Sequence, residues 1–69
     1  MSSQRLAGAR LRAWRDRARK TQQDVADVLG VDKSFVAHME AGRHRPSGVV
    51  AFALQRLTGI SAEVWFKAA

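Results

Sequence analysis

The stretch TQQDVADVLGVDKSFVAHMEAG, residues 21–42, decides the fold because it contains two short amphipathic helices separated by a brief turn. Thr21 is a good N-cap residue for the first helix, and Gly30 is placed to end it. Asp32 is placed to cap the second helix, which Gly42 ends. The spacing therefore predicts helices of about eight and nine residues joined by a three-residue turn.

The sequence on both sides of this stretch also predicts helices, because it contains no alternating strand pattern. An apolar stripe at helical spacing predicts a first helix over about residues 4–19. Its members are Ala7, Leu11, Trp14 and Ala18. Ser47 is placed to cap a fourth helix that ends at Gly59, and Ser61 begins a last short helix. The expected fold class is all-α, with five helices in one domain over residues 1–69.

The two central helices form a helix-turn-helix, in which the second helix can be presented to the major groove of DNA. Apolar side chains face the join between the helices, namely Ala26, Val31, Val36 and Met39. The outer face of the second helix carries short or polar side chains, namely Lys33, Ser34, Ala37, His38 and Ala41. Such a face lets the helix backbone approach base edges closely, so the pattern predicts a DNA-binding domain.

Length and charge are consistent with this prediction. The chain has 69 residues and no cysteine, so we expect one small domain without a disulfide or a thiolate metal site. Twelve Lys and Arg against six Asp and Glu give a formal net charge of +6, which suits a polyanionic partner. Residues 1–20 hold seven basic side chains and one acidic one, whereas residues 21–32 hold three acids and no base.

Several functional classes find no support in the sequence. The longest apolar run is Val49–Leu54, far short of the roughly 20 residues of a membrane helix, so we expect a cytoplasmic chain without a membrane partner. No histidine and carboxylate set has metal-ligand spacing, and no glycine-rich phosphate loop or nucleophile motif occurs. We therefore expect neither enzymatic activity nor a cofactor, a metal or a small-molecule ligand.

Several motifs together resemble the Cro and C1-type (XRE-family) phage and bacterial repressors. They are Arg10-Leu11-Arg12 and Arg15, Thr21 to Ala26, Gly30 to Ser34, Glu40 to Arg43, Pro46-Ser47 and the ending LTGISAEVW. The combined pattern is specific and covers nearly the whole chain. The resemblance implies a compact five-helix, lambda-repressor-like domain that binds double-stranded operator DNA, usually as a homodimer, and regulates transcription.

The resemblance also implies roles for individual residues. The residues that would face base edges are Lys33, Ser34, Ala37 and His38. The residues that would contact phosphates, directly or through the amide groups near Ser47, are Gln22, Gln23, Arg43, Arg45 and Ser47. Arg15 and Glu40 match positions that form an internal ion pair in this family, which assigns them to the architecture of the domain.

Two positions depart from the family pattern. Relatives often have Gly-Leu where this chain has Arg19-Lys20, so the sequence leaves the end of the first helix open. Ala37 stands where relatives often carry a polar side chain; its methyl group can contact a thymine methyl but cannot donate a hydrogen bond. Sequence readout would then rest on fewer polar contacts.

Several residues have two interpretations. His38 is either a surface histidine or a contact to a DNA base or to the DNA backbone. Phe35 belongs either to the edge of the core or to a contact with a thymine methyl. Of Trp65 and Phe66, one should seal the core, and the pair is the candidate dimer contact because adjacent aromatic side chains form an apolar patch.

The favoured interpretation is a sequence-specific transcriptional regulator, a repressor that binds a palindromic operator as a dimer with its third helix in the major groove. The alternative is an antitoxin-type protein that binds a toxin partner as well as operator DNA. The chain has no separate neutralising tail, which favours the first interpretation.

Overall fold

The computed structural model describes residues 3–66, which form four α-helices and a final 3-10 turn. The elements are α1 Ser3–Ala18, α2 Gln22–Leu29, α3 Lys33–Glu40, α4 Gly48–Thr58 and the 3-10 turn Ala62–Trp65. The prediction of an all-helical fold is confirmed for these residues, but the prediction of a fifth α-helix is wrong. Ser61 makes no side-chain cap hydrogen bond, and the Ala62 N–H donates instead to Gln55 Oε1 on α4 at 2.8 Å.

The core consists of nine buried apolar residues, and every one of these five elements contributes to it. They are Ala7, Leu11, Val25, Ala26, Val36, Met39, Ala51, Leu54 and Trp65. The stripe predicted along α1 is only partly buried, because Trp14 is half-buried and Ala18 is exposed. Trp65 is 0% exposed, which corrects its assignment to a dimer contact: it is the aromatic residue that seals the core.

Helix α1 ends one residue earlier than predicted because Arg19 adopts a left-handed conformation with a φ of 57°. The N–H of Lys20 donates to the Arg15 carbonyl at 2.9 Å. The N–H of Arg19 donates to the Asp16 carbonyl at 3.2 Å. These are the hydrogen bonds of a Schellman C-cap, which usually places glycine in the left-handed position. Arginine is strained there, because its Cβ lies too close to the following carbonyl oxygen.

Replacing Arg19 with glycine is therefore expected to stabilise the domain by about 1 kcal/mol, because glycine adopts this conformation without the steric cost. The melting temperature, followed by circular dichroism, should rise by about 4–8 °C. Arg19→Ala is the matched control, since it removes the same charge but keeps a Cβ atom, and it should melt close to the wild-type chain. Equal melting temperatures for the two variants would contradict the strain argument.

The other helices begin at the residues predicted to cap them. The Thr21 hydroxyl accepts from the Asp24 N–H at 3.0 Å, and the Asp24 carboxylate accepts from the Thr21 N–H at 2.9 Å. The hydrogen bond that the Asp24 carboxylate accepts from the Thr21 backbone, and after it the interaction with the Thr21 side chain, lower the pKa of Asp24 below its usual value. Ser47 caps α4 by accepting from the Val50 N–H at 3.3 Å. Asp32 occupies the N-cap position of α3 without a side-chain cap hydrogen bond.

The start of α1 packs closely against the C-terminal end of α3 through two glycines. Gly8 is buried, and a Cβ atom added there would lie 2.8 Å from the carbonyl oxygen of Glu40 and closer still to that of Met39. Gly42 has a φ of 76°, and an added Cβ would lie 3.0 Å from the Cα of Arg5. The position of α3 is therefore set by direct backbone packing against α1.

Candidate nucleic-acid interface

Helices α2 and α3 pack against each other across the turn at residues 30–32. Gly30 ends α2 in the left-handed conformation, with a φ of 71°, and its N–H donates to the Ala26 carbonyl. The N–H of Val31 donates to the same carbonyl at 3.0 Å, which fixes the direction of the turn. Ala26 and Val36 are both buried, so the inner faces of the two helices meet in the core.

The outer face of α3 brings together the side chains expected to face base edges. Lys33 and Ser34 are exposed at the first turn of the helix, and Ala37 and His38 follow half-buried one turn later. None of these four side chains is a large apolar group. The backbone of α3 can therefore approach a flat or grooved partner closely.

The sequence pattern did not indicate His44, which lies beside His38 in the loop after α3. The two imidazole rings meet edge to face, with centroids 5.1 Å apart. The other neighbour of His44 is Phe35, whose ring is nearly parallel to it at an interplanar angle of 22° and a centroid distance of 6.2 Å. Phe35 also packs against the core, so His44 links the core edge to the outer face of α3.

The loop between α3 and α4 carries the arginines expected to contact phosphates. Arg43 and Arg45 are both exposed, and Pro46 between Arg45 and the cap of α4 is buried. The Ser47 hydroxyl is used to cap α4, so a phosphate would be bound here by backbone N–H groups at the start of the helix. These groups lie directly after the basic loop in the chain.

The two glutamines at the start of α2 already have partners inside the domain. Gln22 Nε2 donates to Glu40 Oε1 at 3.2 Å, and Gln23 Nε2 donates to Asp27 Oδ1 at 2.8 Å. Because a side-chain amide carries two N–H groups, each glutamine retains a second donor for a phosphate oxygen. The internal bonds orient these amides, a detail that the sequence did not indicate.

Arg15 and Glu40 form a two-pronged ion pair between α1 and α3. Arg15 Nε donates to Glu40 Oε2 at 2.8 Å, and a terminal guanidinium nitrogen donates to Oε1 at 3.0 Å. The other terminal nitrogen donates to the Lys20 carbonyl at 3.1 Å. The hydrogen bond to Glu40 raises the pKa of Arg15 above its usual value, so the guanidinium stays charged. Gln22 on α2 donates to the same Glu40 carboxylate, so this one carboxylate on α3 connects α3 to both α1 and α2.

Three large apolar side chains lie at the surface on and after α4. Val49 and Phe52 are 82% and 57% exposed, one helical turn apart on the outer face of α4. Phe66 is 44% exposed and lies under the guanidinium of Arg45, whose Cζ is 5.7 Å from the ring centroid. Of the two aromatic residues in the candidate dimer contact, Phe66 is the one at the surface.

Other kinds of site receive no support from this part of the chain. Within residues 3–66, no three His, Cys, Asp or Glu side chains are grouped so that they could hold a metal ion. None of the helices described here is both long and apolar enough to cross a membrane.

A short exposed helix, joined by a tight turn to a helix that packs across it, defines a helix-turn-helix DNA-binding domain. Residues 6–64 match the family model described as "Helix-turn-helix domain", and the chain belongs to this family. Among solved structures, it is similar to the restriction-modification controller protein C.AhdI from Aeromonas hydrophila. The TM-score is 0.75 at 28% sequence identity, with 91% of this chain and 96% of that chain covered. No match was found among curated proteins.

The family match and the structural similarity confirm the resemblance to Cro/C1-type helix-turn-helix regulators. The chain is a DNA-binding transcriptional regulator, and its family and fold are those of such regulators and not of enzymes.

Proposed function

We propose that this regulator is a repressor that binds a palindromic operator as a homodimer, with α3 of each protomer in the major groove. The observation that carries the proposal is the exposed outer face of α3, which combines small and polar side chains with an adjoining basic loop. The similarity to a restriction-modification controller protein supports a regulatory role. Its site of action is then the cytoplasm of a bacterial or phage-infected cell.

Four residues of α3 read the operator in this proposal. Lys33 and Ser34 enter the groove first, because recognition helices contact bases mainly through their N-terminal part. The ammonium group of Lys33 suits the acceptors of guanine, and the Ser34 hydroxyl can either donate or accept. Ala37 contacts a thymine methyl, and His38, held by its ring contact with His44, reaches a base or the adjoining backbone.

Phosphate contacts on both sides of α3 fix its position in the groove. On one side they come from Arg43, Arg45 and the N–H groups that follow Ser47. On the other side they come from the remaining amide donors of Gln22 and Gln23. Such contacts carry no sequence information, but they set the register in which α3 meets the bases.

Dimerisation uses the exposed apolar surface on α4. Val49 and Phe52 are the candidate interface residues, because burying large apolar side chains against a second copy removes them from water. Two symmetric copies of α3 would then contact half-sites about one helical turn of DNA apart.

The experiment that tests the proposal is selection of bound sequences from random duplex DNA, followed by the stoichiometry of the selected complex. We expect a palindrome bound by two protomers. Binding of a single protomer to an asymmetric site would overturn the proposed homodimer but would still agree with DNA binding. Recovery of no preferred sequence would overturn sequence-specific regulation.

Salt dependence gives a second test of the same proposal. If the dimer neutralises about 6–10 phosphates, its affinity should fall by about 10³- to 10⁵-fold between 50 and 200 mM salt. The measurement is a fluorescence anisotropy titration of the selected operator at several salt concentrations. A flat response would contradict binding through the basic loop and the helix ends.

A further inference from the structure

Three structural features restrict the conformation of Arg45. Its backbone precedes Pro46, which is buried and which disfavours helical conformations of the residue before it. Ser47, two residues on, is fixed as the cap of α4. The guanidinium itself lies over the ring of Phe66, with Cζ 5.7 Å from the ring centroid. An exposed arginine with these constraints samples far fewer orientations than one on an unconstrained loop.

The ring of Phe66 is a firm support because the residue before it belongs to the core. Trp65 is 0% exposed and is one of the nine core residues, so the backbone that carries Phe66 is fixed at this point. The 3-10 turn that ends at Trp65 contacts both α1 and α4. The ring is therefore attached to the core and does not depend on the α3–α4 loop for its position.

We propose that Phe66 is a positioning residue for DNA binding: its ring holds the Arg45 guanidinium in the orientation in which it contacts a phosphate. This inference rests on the proposed DNA binding. A guanidinium held over an aromatic face keeps its N–H donors available for phosphate oxygens. The ring is attracted to the cation without using any of those donors.

In this proposal Phe66, the residue directly after Trp65, acts on the loop between α3 and α4 that would contact phosphates. Phe66 contributes to affinity without touching DNA, since it reduces the ordering that Arg45 undergoes on binding. The effect should be modest, because an exposed cation–π contact corresponds to about a two- to five-fold change in affinity for each protomer. It should also depend on an aromatic ring at this position, and not on apolar volume alone.

A double-mutant cycle tests this inference on the selected operator, using the full chain. The variants are Phe66→Leu, Phe66→Tyr, Arg45→Ala and the double variant with Phe66→Leu and Arg45→Ala. Affinity is measured by fluorescence anisotropy across a salt series. We expect Phe66→Leu to weaken binding about two- to five-fold per protomer and to reduce the salt slope in the direction of Arg45→Ala. Phe66→Tyr should bind like the wild-type chain.

The decisive comparison is the effect of Phe66→Leu when Arg45 is already alanine. If the ring acts through Arg45, the substitution has no further effect there. Arg43→Ala is the matched background, because it removes a charge from the same loop without removing the cation over the ring. In that background Phe66→Leu should weaken binding as much as it does in the wild-type chain, by about two- to five-fold per protomer.

Several results would overturn the inference. Equal weakening by Phe66→Leu in the presence and absence of Arg45 would show a different role, such as the dimer contact, which sedimentation measures directly. Binding of Phe66→Tyr as weak as that of Phe66→Leu would also overturn it. Phe66→Met removes the ring with little change in volume and serves as the second variant if the leucine chain melts early. Failure of the wild-type chain to bind duplex DNA would instead overturn the proposed function itself.

Discussion

Replacing Lys33, Ser34 and Arg43 together with alanine is expected to remove sequence preference and to lower operator affinity by more than about 100-fold. A lost base contact costs about 1–3 kcal/mol, and a lost phosphate contact weakens binding to every sequence. All three side chains are exposed, so the variant should keep the wild-type melting temperature. The measurement is titration of the selected operator and of a scrambled duplex of equal length.

The matched control for this variant carries Arg12→Ala and Arg17→Ala. Both arginines are exposed on α1, which carries none of the predicted base contacts, so the control removes the same number of positive charges from a different helix. It should weaken binding to both duplexes by a similar factor, through reduced long-range attraction, and keep the preference between them. If the triple variant still preferred the operator as strongly as the wild-type chain, α3 would not be the recognition helix.

Replacing Gly8 with alanine is expected to destabilise the domain by about 3 kcal/mol or more, a large part of the stability of a small domain. The added methyl group would overlap the carbonyl oxygens of Met39 and Glu40. These atoms belong to the backbone, so no side-chain rotation relieves the contact, and α1 must move away from α3. The melting temperature, followed by circular dichroism, should fall by at least about 12 °C.

Gly48→Ala is the matched control for this prediction, because it makes the same chemical change at the first residue of α4. A Cβ atom added at Gly48 meets nothing within 4 Å. The control should therefore be neutral or stabilising by about 0.4–1 kcal/mol, since alanine reduces the freedom of the unfolded chain. If Gly8→Ala melted like Gly48→Ala, the close packing of α1 on α3 would be wrong.

The helix boundaries could be predicted where they depend on residues close together in the chain. Thr21 and Ser47 cap α2 and α4 as expected, and Gly30 and Gly59 end these helices in the left-handed conformation. A cap is a hydrogen bond across two or three residues, so its signal is contained in a short stretch. The end of α1 could not be predicted to the residue, because arginine occupies a position that glycine usually fills.

Features that depend on distant parts of the chain could not be predicted. The close approach at Gly8 involves a helix about 30 residues further along, and nothing near Gly8 indicates it. Trp65 and Phe66 are adjacent, and a turn of four residues is too short for periodicity to tell which ring faces the core. The ring contact between His38 and His44 depends on the path of the loop, which has no regular pattern.

For the same reason, only part of the candidate site could be predicted from the sequence. The outer face of α3 follows from helical geometry, so its four side chains do share one surface. The direction of Arg45 and the bond from Gln22 to Glu40 depend on where other elements place their partners.

The burial of Trp65 has a consequence for how the domain is made in the cell. The largest buried side chain lies at the end of the described chain, and its turn contacts both α1 and α4. During synthesis, α1 is made before this tryptophan, so α1 cannot bury its apolar face against Trp65 until translation has passed residue 65. Native packing is therefore completed late in translation or after it, when the first and last elements can meet.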